Sequence, residues 1–162
     1  MNYCKIEACS IAAGPGCAVS LFVSGCEHHC KGCFNPETWS FEYGKKFTEQ
    51  TIEAIIKLAA PSYISHLAVF GGEPLHPKNR EEVIRLVRKF KAKYPDKTVW
   101  LWTGYLIEEV FEDLVDSRID VVVDGRFVEE LKDFRLKYRG SSNQRVINLK
   151  ETLRTGDLIL YE

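Results

Sequence analysis

Three thiols fall close together in Cys26-Glu27-His28-His29-Cys30-Lys31-Gly32-Cys33. Soft thiolates at this density select zinc or the iron of an iron–sulfur cluster. A structural zinc site closes with four ligands, whereas this Cys-x3-Cys-x2-Cys array supplies three. On a [4Fe–4S] cluster an iron without a cysteine can bind a small molecule directly, while a four-cysteine cluster chiefly carries electrons. His28 and His29 lie inside the array, so the spacing alone is also open to a Cys/His zinc knot, or to unconnected thiols. Further along, Gly71-Gly72-Glu73 offers a backbone without side-chain bulk, followed by a carboxylate able to pair with a cationic amino group. Taken alone, that triplet reads first as a turn, since paired glycines after a strand usually mark only that.

The elements that must position these residues follow from the apolar pattern. Runs rich in β-branched and aromatic residues at Ala18–Ser24, His66–Phe70, Thr98–Trp102, Ile119–Val123 and Arg145–Leu149 predict buried strands. Ile52, Ile55, Ile56 and Ala59 predict a helix with Thr48 as its cap and Pro61 as its stop. Val83, Ile84, Val87 and Phe90 predict a second helix ending before Pro95, and Leu106, Ile107, Val110, Phe111 and Leu114 a third. Alternating strands and helices imply an α/β fold with a mostly parallel sheet, in which ligands bind at the carboxyl ends of the strands. The cysteine loop, Gly71–Pro74, Thr103–Tyr105 and Asp124–Arg126 each follow a predicted strand and so converge. Trp100 and Trp102 share a face of the third strand and are expected to pack. Thr103 is a weaker ligand candidate.

The length of 162 residues suits a single domain, residues 1–162, able to bury a core without disulfide help. A net charge of -1 from 22 basic and 23 acidic residues gives no nucleic-acid or membrane footprint. With no apolar run of bilayer length and no secretory leader, a cytoplasmic protein is expected. Cys4, Cys9 and Cys17 are then expected to be free thiols, because the cytoplasm is reducing.

After a three-cysteine loop, Gly71-Gly72-Glu73 resembles the radical S-adenosylmethionine superfamily. Cys33-Phe34-Asn35, Gly71-Gly72-Glu73-Pro74-Leu75-His76-Pro77, Leu101–Tyr105, Val123–Phe127 and Arg139–Gln144 are together similar, in order, to the activases of anaerobic ribonucleoside-triphosphate reductases. The resemblance implies an incomplete (β/α) barrel, since the chain is too short for a full one. It implies a [4Fe–4S] cluster on Cys26, Cys30 and Cys33, with S-adenosylmethionine as cosubstrate. Gly32, Cys33 and Phe34 would line that cosubstrate, and Gly71, Gly72 and Glu73 would hold its methionyl end. Asp124 and Arg126 become candidates for ribose or carboxylate contacts, against readings as a turn residue and a surface charge. The implied reaction forms a glycyl radical on the reductase. The implied partners are that reductase and a one-electron reductant such as a flavodoxin or ferredoxin. The Arg139–Gln144 loop reads either as an ordered surface loop or as a partner contact.

The resemblance breaks at one place. The family pattern ahead of the first predicted strand carries an acid, an amide and a guanidinium where this chain has Ser10, Ala13 and Ala18, although Gly14-Pro15-Gly16 is kept. Restoring Asp, Asn and Arg at those positions is expected to strengthen activation. Two rivals remain at this stage: radical chemistry on a small molecule, and a zinc- or cluster-stabilised interaction module.

Overall fold

In the computed structural model, which describes Met1–Glu162, the five predicted strands are present with ends within two residues of those expected. They are joined by two strands that the apolar pattern does not show. The order is β1 Asn2–Ser10, β2 Cys17–Val23, β3 Lys45–Lys46, α1 Glu49–Leu58, β4 Ile64–Gly71, α2 Arg80–Lys93, β5 Thr98–Trp102, α3 Phe111–Leu114, β6 Val121–Asp124, β7 Arg145–Asn148 and α4 Leu149–Thr155. All seven strands form one open sheet in the order β3-β1-β2-β4-β5-β6-β7. The centre is parallel, with Leu21 opposite Val69, Val69 opposite Leu101 and Leu101 opposite Val122. Both margins are antiparallel, β1 on β2 and β3 on one side and β7 on β6 on the other.

The sequence of β1, Asn-Tyr-Cys-Lys-Ile-Glu-Ala-Cys-Ser, has no apolar run because the strand lies near the margin and stays half exposed. An outer strand is not required to bury both faces. The third helical stripe is broken in the structure. A turn at Ile107–Glu109 precedes α3, and Val110 at φ -127° separates them. The Asp124 carboxylate accepts the Ile107 N–H at 2.9 Å and Glu109 accepts the Leu106 N–H at 2.7 Å. These side chains satisfy backbone donors at the start of the segment.

Alternation along the strands separates two faces. Val19, Leu21 and Val23 of β2, Leu67 and Val69 of β4, and Val99 and Leu101 of β5 pack with Ile52 and Ile55 of α1 and Leu86 and Phe90 of α2 in the main core. The opposite face carries Ala18, Ala68, Phe70 and Trp102. There Trp100 packs against Tyr138 and Tyr161, with ring centroids 5.1 and 4.8 Å away. Helices therefore cover one face, and the chain returning after β6 covers part of the other.

One expectation about thiols is overturned. Cys9 and Cys17 are paired as a disulfide, with Cα atoms 5.6 Å apart, whereas Cys4 is free. The unpredicted β1 is the reason: its antiparallel pairing sets Ser10 opposite Ala18 and brings the neighbouring cysteines together, within the Cα separation a disulfide spans.

Candidate metal centre

The carboxyl ends of β2, β4, β5 and β6 open onto a cavity of about 560 Å³. Cys26, Cys30, Cys33 and Phe34 come to its wall from the loop after β2, Gly71, Gly72 and Glu73 from the end of β4, and Thr103 and Gly104 from the loop after β5. Parallel pairing places these ends side by side, because Val23 lies opposite Gly71 at the point where both chains leave the sheet.

The two glycines are required by a close approach of backbones. A Cβ on Gly72 would stand 2.7 Å from the Gly25 carbonyl oxygen, and one on Gly71, which adopts φ +110°, would stand 2.8 Å from the Val23 backbone. Gly72 N–H donates to Val23 O and Glu73 N–H to Gly25 O, each at 2.8 Å. The root of the cysteine loop is thus attached to the segment after β4. Asn79 strengthens the junction, its side-chain amide donating at 3.0 Å to both Ser24 O and Glu73 O.

Glu73 is almost fully buried, and its carboxylate is a hub. Oε1 accepts the Leu75 N–H at 2.9 Å and the Thr103 hydroxyl at 2.8 Å; Oε2 accepts the Gly104 N–H at 2.7 Å and the His28 Nε2–H at 2.8 Å. Four donors satisfy the acceptor sites of one carboxylate. Three loops meet on this side chain, a role that the pattern Gly-Gly-Glu does not disclose.

The donor set fits an iron–sulfur cluster. Burial pushes the Cys26 thiol up to about 11 and raises that of Cys30, so the thiolates that a cluster binds would depend on the metal's charge for their stability. The Asn35 N–H is 3.4 Å from Cys33 Sγ, a contact of the kind that tunes cluster potentials. Trp39, also on the cavity wall, has a buried indole N–H without a protein acceptor. His28 Nε2 is committed to Glu73, and the His29 ring stacks on Trp39 at 4.3 Å. A multi-iron cluster takes its cysteines one to an iron.

Three other candidates do not reach the cavity wall. Gly32 faces the Glu129 side chain, 2.9 Å from where a Cβ would lie. Asp124 is fully buried and accepts Arg145 Nε–H at 2.9 Å and Nη2–H at 2.5 Å besides the Ile107 N–H. Arg126 is exposed, and its backbone oxygen accepts the Asn143 amide at 2.8 Å. Their neighbours Gly125 and Phe127 line the cavity instead. Near a strand end, direction alternates, and sequence order alone does not tell which residue points inward.

The wall also includes residues given no site role by sequence, among them Ala12, Phe70, Phe134 and Tyr138. Trp102 joins them rather than only packing, and its indole N–H donates to Tyr138 O at 2.7 Å. The Arg139–Gln144 segment is an ordered turn against the site. Gln144 accepts the Gly140 N–H and donates to Gly125 O, both at 2.9 Å. The aromatic alternation of β5 could have signalled Trp102; Tyr138 has no local signal.

Comparison with known proteins agrees with this geometry. Residues 12–147 match the family of 4Fe-4S single cluster domains. The anaerobic ribonucleoside-triphosphate reductase-activating protein of Enterobacteria phage T4 is 44% identical over 146 residues, covering 90% of this chain and 93% of the relative. The proteins of the same name from Vibrio cholerae and Escherichia coli are each 42% identical, covering 89% and 93% of this chain and 96% and 100% of the relatives.

Proposed function

The chain belongs to the family of anaerobic ribonucleoside-triphosphate reductase-activating proteins, and from that footing we propose that it activates an anaerobic ribonucleotide reductase using a [4Fe–4S] cluster and S-adenosylmethionine. The observation that carries this reading is the convergence of Cys26, Cys30 and Cys33 with Gly71 and Gly72 on one cavity at the carboxyl ends of the parallel strands. Held by Cys26, Cys30 and Cys33, a reduced cluster would supply the electron for cleavage of S-adenosylmethionine to methionine, and the adenosyl fragment would supply the hydrogen-abstracting chemistry directed at a backbone glycine of the reductase.

The protein's contribution is binding, orientation and exclusion of water. Cys26, Cys30 and Cys33 hold the cluster. The backbone at Gly71 and Gly72 offers an approach for the methionyl end, beside Thr103 and Gly104. Glu73, with its acceptors already filled, keeps these loops in register rather than serving as a free counter-ion. Phe34 and Phe127, with ring centroids 5.1 Å apart, form the wall at the loop end of the cavity. A one-electron reductant of the flavodoxin or ferredoxin kind completes the cycle.

The test is anaerobic reconstitution followed by iron and sulfide analysis, assay of methionine and 5′-deoxyadenosine, and electron paramagnetic resonance of added reductase. Cluster, cosubstrate cleavage and a glycyl signal are expected in the parent and lost in Cys26→Ala, Cys30→Ala and Cys33→Ala. Cluster content is retained in Cys4→Ala, Cys9→Ala and Cys17→Ala. Stoichiometric zinc without iron would reject the reading. Cleavage without a glycyl signal would move the substrate assignment to a small molecule.

A further inference from the structure

We propose that His28 is the positioning residue of the metal centre, fixing the cysteine loop to Glu73 and so setting where Cys26 and Cys30 stand relative to the Gly71–Gly72 backbone. The proposal builds on the reading of the cysteines as cluster ligands.

The backbone bonds from Gly72 and Glu73 reach only Val23 and Gly25, at the root of the loop. Beyond that root the chain turns irregularly, with left-handed φ of 47° at His29 and 75° at Gly32. Of the three side chains between the first two cysteines, that of His28 reaches Glu73, with its Nε2 2.8 Å from Oε2. Both side chains are buried, 7% and 1% exposed. A second tie, Glu27 to His76 at 3.1 Å, involves a glutamate that is 70% exposed, and solvent weakens such a contact.

The surroundings are shaped to the imidazole. A Cβ on Gly104 would stand 2.4 Å from His28 Cδ2, so Gly104 leaves space for the ring while its own N–H binds the same carboxylate oxygen. Tyr105 meets the ring edge-on, with centroids 4.6 Å apart. Without the imidazole donor, Glu73 keeps three donors and one unfilled acceptor site in a buried position, and the loop loses its buried side-chain anchor. A histidine within a cysteine array invites assignment as a metal ligand; here its Nε2 serves the carboxylate that joins the strand-end loops.

The experiment compares the parent with His28→Phe, which fills the space without a donor, and His28→Gln, whose amide can donate to Glu73. Thermal melting confirms that each is folded. In the metal-free proteins, alkylation of Cys26 and Cys30 by iodoacetamide is followed by mass spectrometry. The rates should rise about tenfold in His28→Phe, the factor expected for one charge-assisted hydrogen bond, and return to within about threefold of the parent in His28→Gln. After anaerobic reconstitution, iron loss to a chelator should follow the same order. Parent-like rates in His28→Phe, or His28→Gln behaving as His28→Phe, would overturn the proposal. If the alkylation order holds but the parent takes up no iron, the anchor stands and the cluster assignment fails.

Discussion

Arg145 on β7 grips Asp124 at the end of β6 with two donors, Nε at 2.9 Å and Nη2 at 2.5 Å, while its guanidinium also reaches Glu108 at 2.8 Å. Hydrogen bonding to the Asp124 and Glu108 carboxylates raises the Arg145 pKa above its ordinary value, and Arg145 in turn holds Glu108 below the usual carboxylate range. The arrangement closes the antiparallel margin of the sheet and draws Asp124 away from the cavity. Asp124→Ala should therefore destabilise the fold by about 2 kcal/mol, below the full cost of breaking a buried pair because Arg145 is partly exposed. A fall in the urea midpoint, with unchanged S-adenosylmethionine affinity per cluster, would bear this out. A selective loss of affinity would instead make Asp124 a ligand.

Glu73→Gln replaces an all-acceptor group with one that has an acceptor on only one side, leaving two of its four donors facing an amide NH2. The expected cost is about 2 kcal/mol in the metal-free protein, together with weaker iron retention. Thermal melting before and after reconstitution measures both. Normal melting with impaired cosubstrate affinity alone would show that Glu73 contacts the cosubstrate directly.

The family's guanidinium at position 18 meets an unsuitable environment in this chain. Ala18 is fully buried and packs with Ala13 and Ala68 beneath Phe70 and Trp102. Ala18→Arg would place a charge among these apolar side chains and should lower stability by about 3 kcal/mol. The expectation that restoring Asp, Asn and Arg strengthens activation is thereby replaced: the triple variant should melt earlier and activate no better. A gain in glycyl-radical yield at unchanged melting temperature would restore the original expectation.

His66 supplies part of the support for the loop that lacks those family residues. Its Nε2–H donates to Ala13 O, and Ser65 Oγ lies 2.8 Å from its Nδ1. Burial lowers its pKa from 6.5, so the unfolded chain binds a proton more readily than the folded one. The His66 contribution should be complete above the ordinary histidine value and be lost as pH falls from about 6.5 through the lower folded value. Urea unfolding between about pH 5 and pH 7.5 should show this slope in the parent and a shallower one in His66→Gln. Equal slopes would reject the assignment.

The sequence by itself determined the donor set and its placement at strand ends. Three thiols, the Gly-Gly pair and the central apolar runs are local signals, and parallel strands joined by helices leave their following loops at one end of the sheet. Tertiary structure decided which groups those loops turn toward the cavity and which they spend on one another. Glu73 received donors from Leu75, Thr103, Gly104 and His28, Asp124 was taken by Arg145, and Cys9 met Cys17 across β1 and β2. Most of these partners lie far apart in the chain, and a carboxylate or thiol has the same local signature whether its partner is a ligand or another residue. Only packing brings the distant donors within hydrogen-bond range, and burial then requires each acceptor to be filled.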